Sequence, residues 1–82
     1  MRRVLIAVPI AECKRRVLEF LDQHPGRHKP NEFAAAIWPG VAFHSQGAVA
    51  ASSRILKHLE REGLICHSIS LDGSDWGWVK VD

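Results

Sequence analysis

Apolar residues recur along this chain at helical spacing three times, and then the pattern switches to alternation. The clearest stretch is residues 46 to 65, QGAVAASSRILKHLEREGLI. At about 100° per residue, Ala48, Ser52, Ile55 and Leu59 fall on one side, with Leu56 at its margin. Gln46, Ala50, Ser53, Arg54, Lys57 and Arg61 fall on the other. The spacing predicts a helix over 46–62. Ser45 is placed to cap it with its hydroxyl, and Gly63 to end it in the left-handed conformation.

Two helices are predicted upstream. Ile10, Cys13, Val17 and Leu21 share a side over residues 10–23, with Leu18 and Phe20 flanking it. Pro9 precedes that helix and His24-Pro25-Gly26 closes it. Phe33 and Ile37, one turn apart with Ala34 beside them, predict a short helix over 30–38. Pro30 suits its first position, Glu32 suits the positive end of its dipole, and Pro39-Gly40 ends it. Residues 39–45 connect it to the third helix, with Val41 and Phe43 expected to tuck inward as anchors.

Beyond Gly63 the period becomes two. Ile65, His67, Ile69 and Leu71 oppose Cys66, Ser68 and Ser70; Asp72-Gly73-Ser74-Asp75 signals a turn; Val79 and Val81 oppose Trp76, Trp78 and Lys80. This reads as a β-hairpin. If the valines face the core, both indoles are partly exposed; in the blander reading both tryptophans pack against the first helix or the amino-terminal segment. That segment, RVLIAV at residues 3–8, reads as a short strand or packed arm. The expected organisation is an arm over 1–9 and a single α+β domain over 10–82, three helices followed by a two-stranded hairpin.

Composition narrows the function. Eighty-two residues make one small domain with little room for buried catalytic machinery. Residues 1–29 hold seven Lys/Arg against three acids, whereas residues 65–82 hold Lys80 against Asp72, Asp75 and Asp82. A polyanion is therefore attracted to the amino-terminal part and repelled by the carboxy-terminal one. Cys13 and Cys66 lack a CxxC partner and are expected to be free thiols. The apolar run at the start is too short for a membrane span and, interrupted by Pro9 and Glu12, is not read as a signal peptide, so a cytosolic protein is expected. His24, His28, His44, His58 and His67 have no metal-ligand spacing, and no Ser-His-Asp set, carboxylate pair or glycine-rich phosphate loop occurs. No metal, cofactor or enzymatic activity is expected.

The outward side of the 46–62 helix combines small residues, Ala50 and Ser53, with the long donors Gln46, Arg54 and Lys57. Such a face can approach a surface closely and offers groups suited to base edges and phosphates. The words Ser53-Arg54, Leu56, Leu59-Glu60 and Gly63-Leu64-Ile65, with Glu32-Phe33-Ala34 in the second helix, resemble the winged helix-turn-helix family of MarR-type and related bacterial or phage regulators. The resemblance covers roughly residues 10–81. It implies a sequence-specific binder of double-stranded DNA, a transcriptional regulator whose third helix enters the major groove. Ser53 and Arg54 are carried over from the family pattern; Gln46, Ala50 and Lys57 are added by geometry. Arg27, His28 and Lys29, before the second helix, are placed to hold a phosphate. The sequence departs from the family in its long 39–45 connection, its modest third-helix charge and its acidic turn, which implies a wing held off the duplex or contacting protein. The other reading is a winged-helix module that binds protein without DNA. Residues 3–8 and the Trp76/Trp78 face are the candidate surfaces for a homodimer or a partner protein.

Overall fold

The computed structural model describes residues 8–40 and 46–81, and in that range the order is α1 (Ile10–Gln23), α2 (Pro30–Ile37), α3 (Gln46–Arg61), β1 (Ile65–Ile69) and β2 (Trp76–Lys80). Three helices and one antiparallel hairpin make an α+β arrangement. The three helical spans match the periodicity to within one residue at each end. The expected anchors Val41 and Phe43, the Ser45 cap, and the segment 3–7 lie outside the described residues.

The helix ends follow from local chemistry. Pro9 stands before α1, and its carbonyl accepts the Cys13 N–H at 2.9 Å. In α2, Pro30 fills the first position, where no amide is needed, and the Glu32 carboxylate accepts the Lys29 N–H at 2.7 Å. At the end of α3, Gly63 sits at φ 78° and donates to the Glu60 carbonyl at 3.0 Å. Leu64 donates to the Leu59 carbonyl at 3.0 Å, which completes a Schellman closure. The same closure hands the chain to β1 with Ile65 turned into the core.

The core is the meeting of the predicted stripes. Cys13, Val17 and Leu21 of α1 pack with Phe33 and Ile37 of α2, Ile55, Leu56 and Leu59 of α3, and Ile65 of β1. Ala48 and Ser52 are buried on the same side of α3, and the Ser52 hydroxyl donates to the Ala48 carbonyl at 2.9 Å, so its burial leaves no orphan donor. One expected core residue is not inside: Ile10, in the first turn of α1, is 57% exposed among the described residues.

The hairpin shows which side of β2 turns inward, a choice that alternation left open. Cross-strand partners share a face, and the register pairs Ile65 with Lys80, His67 with Trp78 and Ile69 with Trp76. Ile65 is buried and Trp78 packs against the core, so the tryptophan face turns inward at its base. Val79 is half-buried and Val81 is 43% exposed. The blander reading therefore holds for Trp78 and fails for Trp76, which stays 40% exposed. What decides the face is a contact the hairpin alone does not reveal. His28, between α1 and α2, bridges Trp78 in antiparallel fashion, with His28 N–H donating to Trp78 at 3.2 Å and Trp78 N–H donating back at 2.8 Å. Beside it, Gly77 lies so close that a Cβ would stand 2.6 Å from the His28 nitrogen and 2.8 Å from its carbonyl oxygen. A side chain there would force the two backbones apart.

Candidate nucleic-acid interface

Burying Ala48, Ser52, Ile55 and Leu59 obliges the opposite side of α3 to face outward. Gln46, Gly47, Ala50, Arg54, Lys57 and Arg61 are all exposed, a stripe repeating every three to four residues. Gly47 joins the small residues noted at Ala50; the spacing from Ala50 already pointed to it. Neither the hairpin nor α1 covers this stripe. Ser53 is half-buried, and its hydroxyl donates to the Val49 carbonyl at 3.2 Å, so its donor is spent within the helix.

Charge availability separates this helix from the rest of the molecule. On α1, Arg15 holds Glu12 and Glu19, the latter at 2.6 Å. Arg16 sits 3.5 Å from Glu12 and also donates to the Ile37 carbonyl. Lys14 pairs with Glu62 at the end of α3, and Lys80 reaches Asp22 at 2.6 Å. The hydrogen bond from Arg15 holds the Glu12 carboxyl below the usual carboxylate range. Among the described residues, Arg54, Lys57 and Arg61 form no ion pair.

The basic triplet divides three ways. The Arg27 guanidinium donates from Nε to the Ser68 hydroxyl at 3.0 Å and lies 3.7 Å from Asp75, so it is tied to the hairpin. The His28 side chain is 15% exposed. Its Nε2 lies 2.6 Å from the His24 carbonyl, its Nδ1 3.2 Å from Glu32, and its ring meets Phe20 and Phe33 edge-on. Both ring nitrogens are thus engaged inside the protein, and His28 works as a strut under the bridge to Trp78. Lys29 is exposed, with its ammonium 5.4 Å from the centre of the Trp76 ring. Burial pushes the Glu32 carboxyl up, but the Lys29 N–H and the His28 ring outweigh it, so Glu32 stays below its ordinary value.

Both carboxylates of the acidic turn have partners within the protein. Asp72 is held well below the usual carboxylate range, first by the Ser74 N–H at 3.0 Å, then by the Ser74 and Ser70 hydroxyls, each at 2.7 Å. These hydrogen bonds close the turn and keep the carboxylate ionised. Asp75 faces Arg27. Sequence reasoning missed this pairing because the partners stand 48 positions apart, and nothing in local periodicity links them.

Among the described residues no three His, Cys, Asp or Glu side chains converge as metal ligands, and no helix is long and apolar enough to cross a membrane. Cys13 is buried and Cys66 exposed, both as free thiols, and burial raises the Cys13 thiol above its ordinary value. No protein-family model, curated protein or solved structure matches the chain.

Proposed function

We propose that the protein is a small winged-helix DNA-binding module, a transcriptional regulator that reads the major groove with α3. The observation that carries this reading is the outward stripe of α3: bare, rich in donors, and holding cations with no partner of their own. Small residues at Gly47 and Ala50 let the helix axis approach base edges, while Gln46 and Arg54 are long enough to reach them. Lys57 and Lys29 would neutralise phosphates to either side. Arg27 shares its guanidinium with Asp75 and would add a weaker contact. His28 supports the backbone of the triplet rather than touching the duplex.

The winged-helix arrangement is supported by the His28–Trp78 bridge, which lays a one-residue strand from the α1–α2 connection along β2. The hairpin would then be the wing. Its Asp72 turn is self-contained, which fits a wing that stands beside the duplex without entering the minor groove. Positioning by phosphates and reading by one helix need no catalysis, metal or cofactor.

A second reading has one observation in its favour. Ile69, Leu71 and Trp76 leave apolar surface at the free end of the hairpin, which suits a protein partner. Fluorescence anisotropy with a labelled duplex separates the two. The DNA reading expects binding at low ionic strength that weakens linearly in log–log form as salt rises, with a slope set by about three to five phosphate contacts. Absence of binding at low ionic strength rejects it.

A further inference from the structure

The outward stripe of α3 limits which base edges it can satisfy. Gln46, Gly47, Ala50, Arg54, Lys57 and Arg61 are exposed along it. The side chains of Gly47 and Ala50 carry no hydrogen-bonding group. The Ser53 hydroxyl is turned back onto the Val49 carbonyl. Among the described residues, no hydrogen bond or ion pair occupies the Gln46 amide or the Arg54 guanidinium. These two side chains are therefore the free hydrogen-bonding groups of the first half of the helix.

Reach separates them from the cations further along. Close approach to a groove floor is easiest beside Gly47 and Ala50, in the first turns of α3, so the stretch that can meet base edges starts at Gln46. At about 1.5 Å per residue, Arg54 stands about 12 Å along the axis from Gln46, which is about the width of the major groove. The two side chains flank Ala50, about 80° apart around the axis, and fit one groove together. Lys57 lies about 16 Å from Gln46 and Arg61 about 22 Å, beyond the base edges and level with the phosphates. The only carboxylate in α3, Glu60, lies about 21 Å away, also outside that window.

The bases follow from the donors and acceptors. Arg54 presents donors alone, in a planar fork that matches the O6 and N7 acceptors of guanine. Gln46 presents one acceptor and one amino donor, which match the N6 donor and N7 acceptor of adenine. Cytosine offers an N4 donor, and no carboxylate stands within the window to accept it. At about 3.4 Å per base pair, a 12 Å span limits the two bases to about four base-pair steps apart. On the reading of α3 as a duplex-binding helix, we infer that the protein selects sites presenting a guanine and an adenine in one major groove within that spacing. Arg54 reads the guanine and Gln46 the adenine.

Selection at low ionic strength from short duplexes with a randomised centre, followed by sequencing, tests this. The wild-type protein should enrich a guanine and an adenine at the stated spacing. Arg54→Ala should flatten the guanine position and keep the adenine, and Gln46→Ala should do the reverse, each preference falling by about fivefold or more. Both residues are exposed, so both variants should keep the wild-type amide spectrum outside α3. Replacing the selected guanine by 7-deazaguanine, which lacks the N7 acceptor, should weaken binding of the wild type and leave that of Arg54→Ala unchanged. A guanine or adenine preference that survives its matching substitution overturns the assignment. So does duplex binding indifferent to sequence, which would still leave α3 as a duplex-binding surface. Failure to bind any duplex at low ionic strength overturns the duplex-binding reading itself, and the assignment with it.

Discussion

The outward faces of α1 and α3 carry similar numbers of cations and differ in what those cations are doing. On α1, Lys14, Arg15 and Arg16 each meet a carboxylate, two of them on the same helix. On α3, Arg54 and Lys57 look out from beside Gly47 and Ala50, and although Glu60 stands one turn after Lys57, neither cation forms an ion pair among the described residues. Charge counted along the chain puts the basic surface in the first third; charge left unpaired after folding puts it on the third helix. The lesson is that net charge of a segment does not locate an anion-binding surface until its internal pairs are subtracted.

The comparison can be broken by experiment, and the largest effect is expected on α3. Arg54→Glu with Lys57→Glu should weaken duplex binding by about a hundredfold or more at low salt, since each lost contact costs about tenfold and each new acid repels phosphate. Equal binding by this variant, measured by anisotropy, would remove the distinction between the faces. Arg27→Ala should cost less, about threefold to fivefold, because Asp75 already shares that guanidinium. Arg15→Ala should leave duplex affinity within about twofold, although it breaks two ion pairs, because exposed pairs of this kind contribute little and the face does not dock. A larger loss would place α1 in the interface.

The smallest effect concerns the turn. Asp72 has a folded value below its unfolded one, so its contribution is present above pH about 4 and is lost only as pH falls through the lower folded value. The Ser74 amide shift should therefore hold steady from neutral pH down past pH 4, and Asp72→Ala should move that amide at neutral pH while leaving the α3 amides in place. Movement of the wild-type turn amides near pH 4 would show that Asp72 is not held as described.

Helices were readable from the sequence because each carries a complete stripe and its own stop signals. Phe33, Ile37, Leu56 and Leu59 are buried where the period put them, and Gly63 ends α3 as its position requires. The hairpin's two strands were readable too, but not the inward side of β2, since Trp78 and Val79 are both apolar and alternation alone cannot choose between them. The choice is made by His28, fifty positions upstream, whose backbone bonds to Trp78 across a gap only glycine at position 77 leaves open. For the same reason the roles within the Arg27-His28-Lys29 triplet were not separable. Three basic neighbours look alike in a row, yet one is clamped by the hairpin, one lies under it and one stands free beside Trp76. On α3, by contrast, Gln46, Ala50, Arg54 and Lys57 are exposed as the helical period demanded, because that demand is local.

The most direct test is to titrate isotopically labelled protein with a short duplex and follow its amide resonances. Perturbations are predicted to concentrate on Gln46, Gly47, Ala50, Arg54 and Lys57, with a smaller set at Arg27 and Lys29 and none on the Arg15–Glu19 face of α1. Perturbations centred on α1 or on Ile69, Leu71 and Trp76, or no perturbation at low ionic strength, would contradict the account.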